Sequence, residues 1–298
     1  MIRQLSTCAS IGILALFASL PSAPAQDPGA KIADLVAKPF GAAIREGGTV
    51  DGAVLSLNLG RFDINDVDMK YIARITTLTG ISIDHTNVGD AGLKEIASCK
   101  NIRHLNLYAT PVTDAGLASL ADLPLLNLSL RQTRVTDEGI KHLAKMTTLH
   151  SLVLKNTAVT GSGFKDISLK SLMVLELDDT KVDDDGAKNL AKFPTIGRLQ
   201  LPRTKITDAA LKSLARITDL YSLDLNGTAV TNAGVMELVA MPNLRHLDLG
   251  GTNVTADVLN VLPMFKALRD VVVPKSVPME AIKQARKLNP RPFVAHER

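Results

Sequence analysis

From Leu105 to Leu120 the chain reads LNLYATPVTDAGLASL, and the spacing of its apolar positions changes partway along. Leu105 and Leu107 alternate with polar neighbours, the two-residue period of a strand with one buried face. Thr113 and Asp114 then offer a hydroxyl suited to a helix N-cap and an acid suited to the positive helix end. Apolar residues follow at helical spacing, which predicts a helix of about two turns. The same switch recurs along the chain with a Thr after each strand as its ruler: Thr86, Thr110, Thr133, Thr157, Thr180, Thr204, Thr228 and Thr252, spaced 23 or 24 residues apart. So steady a period predicts a solenoid of stacked strand–turn–helix units rather than a single globular core.

Neighbouring strands sit about 4.8 Å apart and neighbouring helices about 10 Å apart, so the stack is expected to curve with its strands inside and its helices outside. Ten strands, from Leu57-x-Leu59 to Val271-x-Val273, would build a parallel concave sheet on the order of 45 Å long. The fold class expected is therefore α/β, a curved right-handed horseshoe with short convex helices. Just after each strand the chain must turn where water has poor access, and a column of stacked Thr hydroxyls would satisfy adjacent turns. Six glycines, Gly92, Gly116, Gly139, Gly163, Gly186 and Gly234, fall at one place in the predicted helices. There each weakens the helix by about 1 kcal/mol relative to Ala, which points to close packing against the neighbouring turn.

The ends depart from the pattern. Met1-Ile2-Arg3, the apolar run Ile11–Leu20 and Ala23-Pro24-Ala25 read as a cleavable export leader over residues 1–25, cut after Ala25. The apolar run is about half of what a bilayer span requires, so no integral membrane segment is expected after cleavage, and the protein is expected in a periplasm, cell envelope or medium. Residues 26–53 have the helix-like spacing of an N-terminal cap, and residues 54–276 hold nine to ten repeats. Residues 277–298 are read as a capping helix near Met279–Leu288 followed by a frayed basic tail. Phe62 and Ser276 replace the Thr in the terminal units.

The T-x-[VI]-T-D-x-G-L skeleton resembles the leucine-rich-repeat family, in a form similar to its ribonuclease-inhibitor and cysteine-containing classes. The resemblance implies a protein-recognition scaffold without catalysis of its own. Ubiquitin-ligase substrate recognition is the remote alternative within the family, and an export leader argues against it.

Composition narrows the partner more than it narrows the fold. Loss of Arg3 with the leader leaves 33 basic against 30 acidic residues, too even a balance to predict nucleic-acid binding. Cys99 alone survives maturation, in an apolar slot, and is read as a buried thiol. No cofactor or metal motif is apparent. The run from Asp178 to Asp185 is rich in acids but lacks the alternating ligands of a calcium loop. Outward strand positions place Tyr108, Arg131 and Lys155 in a basic and aromatic zone beside an acidic zone of Glu176 and Asp178, with Asp224 and Asp248 further on. His104 and His246 also point outward. A face of two signs suits a folded protein partner, of unknown identity, bound by a monomer. The competing reading is a structural envelope component that associates edge to edge or with cell-wall material, using the convex lysines Lys94, Lys141, Lys188 and Lys212.

Overall fold

The computed structural model describes residues 56–288 and 292–297. The proposed leader and N-terminal cap lie outside the described residues. Eleven short strands form one parallel sheet in chain order. They are β1 (Ser56–Asn58), β2 (Gly80–Ser82), β3 (His104–Asn106), β4 (Asn127–Ser129), β5 (Ser151–Val153), β6 (Val174–Glu176), β7 (Arg198–Gln200), β8 (Ser222–Asp224), β9 (His246–Asp248), β10 (Asp270–Val273) and β11 (Phe293–His296). The helices between them are α1 (Asp66–Ile72), α2 (Asp90–Ile96), α3 (Asp114–Ser119), α4 (Asp137–Lys141), α5 (Asp184–Leu190), α6 (Asp208–Leu214), α7 (Asn232–Glu237), α8 (Val258–Val261) and α9 (Met279–Leu288). In the unit after β5 a single 3-10 turn, Ser162–Phe164, takes the helix position.

Equivalent residues pair in register, so Leu105 faces Ile81 on one side and Leu128 on the other. That register stacks the two inward positions of every strand into continuous apolar columns, with Leu105 and Leu107 both buried. Helix residues such as Leu93, Leu117 and Leu211 close the core from the other side. Burying a side chain of this size contributes roughly 1.5–3 kcal/mol, repeated in every unit.

Past each of β1 to β8 the ladder runs on for two further backbone bonds, for example Leu107 N–H to Ser129 O at 2.9 Å and Ala109 N–H to Arg131 O at 2.9 Å. The second of these donors has left-handed backbone in unit after unit: Arg61, His85, Ala109, Gln132, Asn156, Asp179 and Arg203 have φ between 54° and 65°, and Gly227 has 69°; Gly251, at the equivalent place past β9, has 60°. The Thr comes next. Its buried hydroxyl donates to the carbonyl three residues back, as in Thr86 to Ile83, Thr110 to Leu107 and Thr157 to Leu154, each at 2.7 Å. All eight threonines do this. They form a buried column, but each bond closes a turn within its own unit rather than linking adjacent turns.

The linkage between units lies elsewhere. Asp90, the first residue of α2, accepts from the backbone N–H and the hydroxyl of Thr113, the N-cap of the next helix, at 2.8 and 2.6 Å. Asp114 holds Thr136 in the same way, Asp184 holds Thr207, and Asp208 holds Thr231. The repeated Gly makes room for this carboxylate: a Cβ at Gly116 would lie 2.4 Å from Asp90 Oδ1. Asp137 goes further. Burial pushes its carboxyl up, but donors from Gly163, Thr160 and Gly161 outweigh that and hold it below the usual carboxylate range.

The C-terminal segment differs from expectation. Phe293–His296 does not fray but pairs in parallel with Asp270–Val273 as the eleventh strand. His296 Nε2 lies 2.6 Å from Val277 O, and Arg286 donates to Val294 O while stacking on the Phe293 ring at 4.5 Å. Four residues with one inward apolar side chain, Val294, carry too little periodicity to announce a strand. Cys99 is buried, and burial raises its thiol pKa.

Candidate functional site

The outward side chains of the sheet stand on a scaffold whose register is fixed by the leucines beneath them. Strand alternation turns Glu176, Gln200, Asp224 and Asp248, the last residues of β6 to β9, outward, and the extended ladder carries Tyr108, Arg131 and Asp178 on the same face. The sequence-predicted residues form three groups.

The first is a stack on the units of β2 to β4. The Arg131 guanidinium lies over the Tyr108 ring, 4.7 Å from its centroid. His85 meets the same ring edge-on, with centroids 4.4 Å apart and planes at 81°. Asp84 accepts from Ser82 Oγ at 2.6 Å and lies 3.2 Å from His85 Nδ1.

The second group centres on Lys155, which belongs with the acids and not with Tyr108 and Arg131. Its ammonium lies 2.9 Å from Glu176 Oε2, 3.3 Å from Asp178 Oδ1 and 3.0 Å from Gln200 Oε1. The long Lys stem lets the charge travel from its own strand to the next two, where carboxylates attract it. The basic zone therefore narrows to Arg131. Asp178 keeps a second, buried oxygen with no hydrogen-bond partner. Beside this group Arg203 grips Asp179 through two bonds of 2.5 Å.

The third group is the register pair Asp224 and Asp248. Like charges directly opposite on neighbouring strands repel. Asp224 Oδ1 accepts from Asn226 N–H at 2.9 Å, which favours the charged form. Burial together with Asp248 and Asp178 nevertheless raises its pKa from an ordinary 3.8 to about 6. Asp248 is raised by burial and by Glu297.

His104 bonds to Asn127 at 2.8 Å, and its pKa is lowered by burial and by Arg103. His246 lies 2.9 Å from Asp270. The acids of the Asp178–Asp185 run are dispersed among separate partners: Lys155, Arg203, the Gly186 N–H, Thr207 and Lys188. Among the described residues no group of three or more acidic, His or Cys side chains is arranged to hold a metal. No helix among them is long and apolar enough to cross a membrane. His85 and Arg203 belong to this face and were not among the outward positions read from the sequence. Extending the outward columns by one place, to the left-handed residue, would have found His85 and Arg203.

The groups arranged here can make charge-assisted hydrogen bonds and present an aromatic surface on a sheet of fixed register. A leucine-rich-repeat family model matches residues 168–191. No curated protein sequence matches the chain. Among solved structures an internalin, InlF, from Listeria monocytogenes superposes with a TM-score of 0.60 at 24% identity, over 73% of this chain and 60% of that one. The chain thus spans about three fifths of that internalin's length. Internalin C2 of the same organism gives a TM-score of 0.44 at 21% identity, over 64% of this chain and 76% of its own.

Proposed function

The chain is a leucine-rich-repeat solenoid, and on that premise we propose that it is an exported binding protein that recognises a protein partner through the open face of its sheet and carries no catalysis of its own. The fold itself points to protein–protein recognition. The observation that carries the reading is like charge held on that face by amide donors alone, with no ion pair to either acid among the described residues. Asp224 and Asp248 stand half-buried and opposed, with Asp224 displaced to a pKa of about 6. Perturbed carboxylates on an exposed, rigid surface are characteristic of sites that complete their interactions with a partner.

Quantitative affinity capture from the source organism's secreted and envelope fractions tests this, with the intact protein as one bait and Asp224→Asn/Asp248→Asn as the other. One protein recovered by the first bait and lost from the second is the expected result. Equal recovery by both would remove Asp224 and Asp248 from the docking surface. These amides are cleaner probes than reversal of Glu176 and Asp178, because extra lysines there would crowd Lys155. N-terminal sequencing of the native protein tests export: a start at Gln26 is expected, and a retained Met1 would contradict it.

A second reading, edge-to-edge assembly, draws on β11, the last strand of the sheet, where Phe293 is 52% exposed. Concentration-dependent polymers in sedimentation would favour it, and a monodisperse monomer would end it.

A further inference from the structure

Resting on the reading of the sheet face as a docking surface, we propose that Arg131, stacked on Tyr108 and steadied by His85, is a subsite for a single carboxylate side chain of the protein partner. The cations of this face are not equivalent. Lys155 is bonded to Glu176, Asp178 and Gln200, and Arg203 is bonded bidentately to Asp179. Arg131 takes part in no ion pair among the described residues, and its side chain is exposed.

Stacking occupies the flat face of the guanidinium and leaves its N–H edges for an acceptor. Those edges match a carboxylate bidentately, and the Tyr108 ring at 4.7 Å fixes the plane in advance, so little side-chain freedom is lost on binding. The ring is itself braced by the edge-on contact with His85. The floor beneath, the last residues of β2, β3 and β4, is the uncharged row Ser82, Asn106 and Ser129, with Asn106 Nδ2 donating to Ser82 Oγ at 2.9 Å and Ser82 in turn donating to Asp84. A polyphosphate or nucleic-acid strand long enough to follow the sheet would meet Glu176, Asp178, Asp224 and Asp248, which repel it. An isolated acid on a protein surface can meet Arg131 with only Asp84, beside His85, and Asp179, already bonded to Arg203, as like charges nearby.

Protein with 15N-labelled arginine, titrated at pH 7 with acetyl-Gly-Glu-Gly-amide, acetyl-Gly-Gln-Gly-amide and tripolyphosphate, tests the subsite directly. The Arg131 Nε–Hε resonance, assigned by its loss in Arg131→Lys, is the readout. A saturable shift with the Glu peptide, at least about tenfold weaker with the Gln peptide, is expected. Tyr108→Leu keeps the charge but removes the platform, and it is expected to weaken the Glu peptide about fivefold. Equal responses to Glu and Gln, or no response to either, would overturn the proposal. So would tripolyphosphate binding more than about tenfold tighter than the Glu peptide, since the subsite would then be a phosphate site. A silent Arg131 alongside a partner complex that still depends on Asp224 and Asp248 removes this subsite alone. Loss of that dependence as well removes the sheet-face reading too.

Discussion

At the residue scale, the repeat asks two things of the positions that follow each strand, and only one of them shows in the amino-acid pattern. The buried Thr is visible because only a side chain with a donor fits there: its hydroxyl is bonded to the carbonyl three residues back. Thr157→Val keeps the shape and removes the donor to Leu154 O, so it is expected to destabilise the protein by about 1–3 kcal/mol in chemical denaturation. A change within a few tenths of that of a surface substitution would show that the hydroxyl is dispensable. The left-handed residue just before the Thr is illegible. Arg, His, Ala, Gln, Asn, Asp and Gly all occupy it, because the ladder bonds on either side force the conformation whatever the side chain. That strain is measurable. Gln132 is exposed at φ 54°, and Gln132→Gly is expected to raise stability by about 0.5–1 kcal/mol, the left-handed penalty less the added freedom of the unfolded chain.

At the scale of the element, each helix reads locally as a capped, amphipathic pair of turns, and its existence was plain from the T-x-V-T-D-x-G-L skeleton. What stacks one helix on the next was not. The acid after each N-cap looks like a partner for its own helix end, whereas Asp90 and its equivalents reach forward to the following Thr. A single repeat cannot reveal that bond, since both residues appear in every unit and nothing in the pattern says which pairs with which. The helical Gly carried half of the message, its cost implying close packing, and the neighbour it accommodates is this carboxylate. Gly116→Ala therefore reverses the usual sign. Ala is the better helix former by about 1 kcal/mol, yet its Cβ would meet Asp90 Oδ1, so a net loss of about 1–3 kcal/mol is expected. In the double variant Asp90→Ala/Gly116→Ala the second change should cost much less than it does alone, whereas simple additivity would contradict the staple.

At the scale of the whole molecule, the order of the strands and the two faces of the solenoid follow from the period, while the distribution of charge on the sheet does not. Columns of outward residues are legible because alternation fixes direction. Lys155 is not, because its reach across two strands depends on where carboxylates stand in three dimensions. Asp224 gives the face a pH dependence with a definite sign. Its folded pKa of about 6 exceeds the ordinary value, so the native state binds this proton more tightly and its contribution to stability rises as pH falls from above 6 toward 4. Asp224→Asn, which keeps an acceptor for the Asn226 N–H, is expected to stabilise the free protein by about 1–2 kcal/mol at pH 7 after allowance for solvent screening. The gain should vanish near pH 4, and a gain independent of pH would show that the charge is not its source. The same substitution is expected to weaken the partner complex, so stability and recognition pull in opposite directions at this residue.

The most direct test of recognition through the sheet face is hydroxyl-radical footprinting of the protein alone and in complex with its captured partner. Tyr108 reports on the sheet face, and Met236, 47% exposed on α7, reports on the helix face. Slower oxidation of Tyr108 with Met236 unchanged is the result predicted. Protection of Met236 with Tyr108 unchanged would place the partner on the helices and contradict the account.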